Sequence, residues 1–179
     1  MAVILETPRL TLRELEPEDL DFVAEMLADP EVMRFYPKPL DREGSREWLE
    51  RQCRHYEDNG HGLWLVEDRS LGAPVGQVGL LLQEVEGDWE LEIGYLIHRP
   101  FWRRGYATEA ASAVRDHAFG VRGESRVVSL IRPENLPSQG VARKLGMTPE
   151  REVRFRGLTH VMFGVRATAG QGSTGGRLW

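Results

Sequence analysis

The sequence predicts an α/β (α+β) domain on a mixed β-sheet, and three observations carry that prediction. The first is the element order: hydropathy and turn residues read β-α-α-β-β-β-α-β-α-β-β, strands interrupted by helices. The second is length: 179 residues suffice for one domain with a full core, and neither repeat nor linker divides them. The third is the stretch Glu92 to Ala111, which runs from an apolar strand through a short loop to a glycine turn and an alanine-rich helix.

Each element has its own signal. Arg9 to Arg13 alternates apolar and polar residues and predicts a first strand. Pro17-Glu18-Asp19 opens a helix with proline in its first turn and acids at its positive end; Leu20, Phe22, Val23, Met26 and Leu27 supply the apolar face, and Asp29-Pro30 stops it. A second helix is expected over Arg42 to Tyr56, before the Asn59-Gly60 turn. Leu63 to Glu67 and Val75 to Gln83 form a hairpin around Gly72-Ala73-Pro74, and Trp89 to Ile97 is the next strand. Gly105 to Phe119 is the helix after the glycine turn, Arg126 to Ile131 a strand, and Pro137 to Leu145 a short helix ended by Gly146. Glu152 to Phe155 and His160 to Arg166 close the domain as a hairpin, so the domain is placed at 1–166 and a disordered Gly/Ser/Thr-rich tail at 167–179.

Composition narrows the function. Hydrophobic residues at 41% and charged residues at 28% are ordinary soluble usage. A net charge of −5 argues against gripping nucleic-acid backbone, while leaving room for an anionic ligand held by a local cluster. Cys53 is the only cysteine, which excludes an intrachain disulfide and suits a reducing cytoplasm. The N-terminus lacks a basic segment ahead of an apolar run, and no stretch approaches the ~20 apolar residues of a spanning helix, so neither secretion nor membrane insertion is expected.

The glycine turn is where chemistry concentrates. Arg103, Arg104, Gly105, Tyr106, Ala107 and Thr108 sit where the helix begins. A helix N-terminus has unpaired N–H groups and partial positive charge, and small residues let an anion approach. Basic residues are electrostatically unwelcome there unless an anion binds, although two surface arginines on a loop would look the same. A P-loop would need Lys after the glycine, and a dinucleotide fingerprint would need three glycines. Trp102 to Ala107 instead resembles the acyl-coenzyme A loop of the GCN5-related N-acetyltransferases, which runs Gln/Arg-x-x-Gly-x-Gly/Ala, with Trp102 as the departure. Asn135-Leu-Pro-Ser-Gln-Gly-Val-Ala-Arg-Lys-Leu-Gly-Met147 resembles the family's Asn-x-x-Ser…Lys-Leu-Gly-Phe element, with Met147 for Phe. Thr7 to Arg13 and Leu20…Asp29-Pro30 are similar to the branch containing the ribosomal-protein alanine N-acetyltransferases.

The resemblance spans roughly residues 5 to 166. It implies one domain with a central mixed sheet of about six or seven strands flanked by about four helices, and acetyl-CoA as co-substrate. It also implies a primary amine as acceptor, either a protein N-terminus or a small molecule, with no direct nucleic-acid or membrane partner and a monomer or homodimer. Glu92 matches the strand glutamate that serves as general base in many members; Glu90 lies on the same face by alternation and is its rival. The backbone of Leu96 and Ile97 is expected to meet the acetyl carbonyl and pantetheine, and Asn135 the pantetheine arm. Ser138 is the hydroxyl placed to protonate the departing thiolate, or simply the cap of the following helix. Two alternatives stay open: a non-catalytic acyl-CoA sensor, and transfer of another acyl group such as succinyl.

The other reactive side chains point elsewhere. The five histidines are scattered without metal-ligand spacing, so no metal is predicted. Cys53 fits packing better than nucleophilic attack, and no nucleophile elbow supports serine-hydrolase chemistry. Trp48, Trp64, Trp89 and Phe35-Tyr36 are candidates either for an acceptor pocket or for the core, and Val32 to Leu40 with Gln83 to Trp89 are the expected acceptor segments.

Overall fold

A computed structural model describes residues 3–169. Its elements are β1 (Val3–Glu6), β2 (Leu10–Arg13), α1 (Leu20–Ala28), α2 (Arg42–Asn59), β3 (Leu63–Asp68), β4 (Ala73–Val85), β5 (Asp88–Ile97), α3 (Tyr106–Gly120), β6 (Arg126–Ile131), α4 (Leu136–Lys144), β7 (Thr148–Phe155) and β8 (Leu158–Arg166). One sheet of eight strands runs in the order β1-β2-β3-β4-β5-β6-β8-β7. Every pairing is antiparallel except β5 with β6, which is parallel and is crossed by α3.

The expected α/β class and the four helices stand, and the strand count rises to eight. The added strand is β1, four residues that pair with β2 at the edge of the sheet and bury neither end. Pro17–Asp19 is a 3₁₀ turn rather than α-helix, and α1 starts at Leu20. The helix predicted over Arg42 to Tyr56 continues to Asn59, where Gly60 adopts φ 70° and returns its N–H to Tyr56 O. Ala167 N–H still donates to Ser125 O, and 170–179 of the expected tail lie outside the described residues.

Two large apolar cores flank the sheet, with a smaller cluster of Val85, Val128, Val153 and Met162, and β3 shows how one strand serves both large cores. Leu63 and Leu65 pack with Val23, Met26, Leu27 and Leu49 of α1 and α2. Trp64 and Val66 face the other way, toward Ala110, Ala111, Val114 and Ala118 of α3. All four β3 side chains are essentially inaccessible, and each such burial contributes roughly 1.5–3 kcal/mol. The alanines on α3 let that helix lie close to β4 and β5, which fixes where its N-terminus falls. Cys53, on α2, packs against the α1–α2 core as expected, its thiol 3.7 Å from Leu15 O and its pKa pushed up by burial.

Candidate active site

The site exists because β5 and β6 part company. They share a single parallel register pair, Glu92 with Val128. Just beyond it, the Ser129 hydroxyl donates to Ile93 O at 2.8 Å, a side chain standing where a ladder bond would otherwise run. From Gly94 to Ile97, β5 remains paired with β4 but has no register partner in β6. The gap opens a cavity of about 680 Å³, within the usual range of small-molecule sites.

Glu92 lines this cavity at the point of divergence. Burial pushes its carboxyl pKa up; hydrogen bonds from Gln83 Nε2 (2.8 Å) and the Leu130 backbone, with the charge of Arg156, only partly oppose that. Glu90, two residues earlier, is not in the cavity wall. It is paired with Arg126 at 3.3 Å, which also holds Glu150. Of the two rival carboxylates, geometry brings Glu92 to the cavity and leaves Glu90 outside.

The glycine turn closes one end. Gly105 is the N-cap of α3 at φ 77°, and no side chain caps the helix. The first N–H to bond back is Glu109, to Gly105 O at 3.0 Å, so the N–H groups of Tyr106, Ala107 and Thr108 lie ahead of any helical carbonyl. A Cβ on Gly105 would meet only Arg9 Nη2, at 3.5 Å, so the left-handed backbone, not crowding, demands glycine. Arg103 also adopts a positive φ, 61°. Arg103 and Arg104 are both exposed, and Arg104 lies over the Phe101 ring at 5.5 Å. Trp102, the departure from the family's loop, donates its indole N–H to Ile97 O at 2.7 Å and ties the loop to the end of β5. Tyr106 turns inward, 5% exposed, with its hydroxyl on Asp68 at 2.6 Å. Leu96 packs in the α1–α2 core and, with Ile97, also lines the cavity.

One buttress of this turn was not legible in the sequence. Arg9 Nη1 donates to Arg104 O at 2.9 Å, its Nε to Glu109 at 2.6 Å, and its guanidinium lies 4.7 Å from the Tyr106 ring centre. Thr7 Oγ1 donates to the same carboxylate at 2.6 Å. The Thr7–Arg13 resemblance contained both residues, but nothing in it pointed across roughly a hundred positions to Glu109.

The second motif forms the opposite wall. Asn135 is the N-cap of α4, its Oδ1 accepting from Ser138 N–H at 3.2 Å. That corrects the capping alternative for Ser138: the capping side chain is Asn135, because Ser138 already sits inside the first turn. Both residues line the cavity. The Tyr95 hydroxyl donates to Ser138 O at 2.7 Å, linking β5 to α4 across the gap, and burial pushes its pKa up. Tyr95 was missed because its position on β5 reads as ordinary strand.

The remaining aromatic candidates divide. Trp48, Phe35 and Tyr36 line the cavity, Trp64 is core, and Trp89 is exposed on the distal hairpin. Of the expected acceptor segments, Val32 to Pro37 contributes several residues and the other only Gln83. Among the described residues, no group of three His, Cys, Asp or Glu side chains is placed to hold a metal, and no helix is long and apolar enough to cross a membrane.

Comparison with known proteins gives the same family. Residues 9–148 match the model of the acetyltransferase (GNAT) domain. An uncharacterized Bacillus subtilis protein, YkkB, is 37% identical over 84% of this chain and 88% of its own length. The Escherichia coli spermidine N(1)-acetyltransferase is 29% identical over 79% of this chain and 74% of its own. The crystal structure of an acetyltransferase from Agrobacterium tumefaciens superposes with a TM-score of 0.80 at 28% identity, covering 91% of this chain and 94% of that one. With a matched domain model, an uncapped glycine turn at α3 and a parted β5–β6 pair, this chain belongs to the GNAT acetyltransferase family.

Proposed function

We propose that this chain transfers the acetyl group of acetyl-CoA to a primary amine by direct attack within a ternary complex. The observation that carries the reading is a desolvated carboxylate, Glu92, set where β5 and β6 separate beside an uncapped helix N-terminus. Acetyl-CoA supplies a thioester, whose carbonyl carbon accepts the amine nitrogen while the carbon–sulfur bond breaks.

The cradle fits the pyrophosphate of that co-substrate. Unpaired N–H groups of Tyr106, Ala107 and Thr108, the left-handed Gly105 and the exposed Arg103 and Arg104 together favour an anion. The unpaired flank of β5 at Leu96 and Ile97 offers backbone groups to the pantetheine arm and acetyl oxygen, with Asn135 facing them from α4. Glu92 takes the proton the amine loses, directly or through water; its raised pKa makes it a stronger base than an exposed glutamate. Ser138 lies on the α4 wall and donates to the departing sulfur, a modest service because a thiol titrates near ~8.5. An α-amine, with pKa near ~7.8, presents far more neutral nitrogen at pH 7.5 than a lysine near ~10.4. A single half-buried carboxylate therefore suits a low-pKa amine best.

A thiol-release assay with acetyl-CoA and a panel of amines tests this. Amine-dependent release with an acetylated product in mass spectrometry is expected. Tight acetyl-CoA binding without release for any amine would identify a sensor instead, and faster release from succinyl-CoA would change the acyl group.

A further inference from the structure

The acceptor end of the cavity holds two arginines that form no ion pair among the described residues. Away from the Gly105 turn, the wall is built by Trp48, Arg51 and His55 of α2 and by Phe155, Arg156 and His160 at the β7–β8 turn. Arg51 rests over the Trp48 ring at 5.5 Å and Arg156 over the Phe155 ring at 5.0 Å. Neither has an ion pair among the described residues, whose salt bridges use other arginines. The acids lining the cavity are Glu31 and Glu92, and neither lies within ion-pair distance of these two cations. The arginines instead feel each other: burial, then Arg156 and Arg54, push the Arg51 pKa down, with Glu47 opposing weakly. His55 and His160 are also pushed down, by burial first, so the charge of this end at neutral pH comes from the arginines.

The backbone fixes where Arg156 is presented. Arg156 and Gly157 form a two-residue hairpin turn with φ 49° and 77°, the type that favours Asn-Gly. Glu86 and Gly87 make the same turn between β4 and β5, at φ 52° and 93°, so what distinguishes Arg156 is that its turn borders the cavity.

Resting on the acetyltransferase reading above, we infer that the acceptor is a primary amine whose own molecule carries a carboxylate, received between Arg51 and Arg156. Two planar guanidiniums match a carboxylate's geometry, whereas a polyamine would bring further positive charge against them. The same cations lower the pKa of the bound ammonium and so raise the share of nucleophilic free amine near Glu92.

Matched acceptor pairs test the inference. Thiol release with acetyl-CoA is measured for an α-amino acid against its carboxamide, for a peptide beginning with Asp against one beginning with Asn, and for spermidine. The carboxylate member of at least one pair should be preferred about tenfold or more in kcat/KM, with spermidine poorest. The pair showing the preference tells whether the carboxylate belongs to a free amino acid or to a peptide side chain. Arg51→Gln and Arg156→Asn should each cut that ratio about tenfold. Arg156→Asn suits the turn, so its fold, checked by thermal melting, is not at issue. Carboxamides as good as carboxylates, spermidine as best acceptor, or a ratio surviving both substitutions would overturn the inference while leaving the acetyltransferase reading intact. No thiol release with any of the amines would overturn both.

Discussion

Glu90 and Glu92 share a strand, a side chain and a parity, yet the molecule treats them in opposite ways. Glu90 lies before the single β5–β6 register pair and outside the cavity wall, where Arg126 of β6 pairs with it and with Glu150. Glu92 marks the start of the half that has lost its β6 neighbour; it receives an amide hydrogen bond and no ion pair, and it faces a cavity. A counter-ion occupies a carboxylate, whereas desolvation without an ion pair makes one more basic. Residue type does not decide which of two glutamates does chemistry; the place where the sheet opens does.

The comparison breaks most readily at the base. Glu92→Gln should lower kcat/KM by about 10²–10³ near pH 7, with partial recovery at higher pH as free amine accumulates. Glu90→Gln should stay within a few-fold of the parent. In the parent, the acid limb of the kcat/KM profile should lie above the ordinary carboxylate range, because the folded Glu92 pKa is raised and the base works only when deprotonated. Initial rates across pH for the three proteins check all of this. Equal losses in the two variants would mean that the open half of β5 confers nothing special.

A parallel contrast separates the helix N-termini. Asn135 caps α4, and Asp41 caps α2 through Gly44 N–H at 2.8 Å, but α3 is left uncapped. Gly105→Val should weaken acetyl-CoA binding on the order of a hundredfold, since a β-branched residue is strained at positive φ and deforms the cradle. Calorimetry on the folded variant reads this directly, and undiminished affinity would place the pyrophosphate elsewhere. On α4, Ser138→Ala should slow turnover about tenfold with little change in acetyl-CoA affinity if the hydroxyl meets the sulfur. Asn135→Ala should cost ~1 kcal/mol of stability as the lost cap. Because Ser138 is not the capping side chain, a Ser138→Ala protein that melts like the parent yet turns over slowly would isolate the hydroxyl's chemistry.

Much of this was legible, and what was not has physical causes. An apolar face marked α1, the Asn59-Gly60 turn bounded α2, and the Gly105 turn announced itself because few residues tolerate that backbone. β1 escaped because four residues at a sheet edge, buried at neither end, carry almost no alternation. The first part of β7 escaped because Pro149 and a register shift between Pro149 and Arg151 interrupt its pattern. Alternation alone could not rank Glu90 against Glu92, since both point the same way from β5 and the difference lies in a strand more than thirty residues later. Nothing in the sequence singled out Arg51 and Arg156, because the cavity joining them is made by tertiary packing.

The smallest expected effect is also the sharpest test of the contrast, because it predicts opposite signs. The folded pKa of Glu92 is raised, so its protonated form is the one folding favours. Its contribution is fully present below the pKa of an exposed glutamate and is lost as pH rises through the folded value; above that, a charged Glu92 is a cost. Glu92→Gln keeps an oxygen to accept the Gln83 amide and cannot ionise. It should therefore melt above the parent at pH 8, with the gap closing toward pH 4. Glu90→Gln removes one partner of a partly exposed ion pair and leaves Arg126 with Glu150. It should melt slightly below the parent at pH 8, by ~1 kcal/mol or less. Thermal melts of the three proteins at both pH values decide the matter. If Glu92→Gln is destabilising at pH 8, Glu92 is held by favourable interactions in its charged form, and the desolvated base drawn here is wrong.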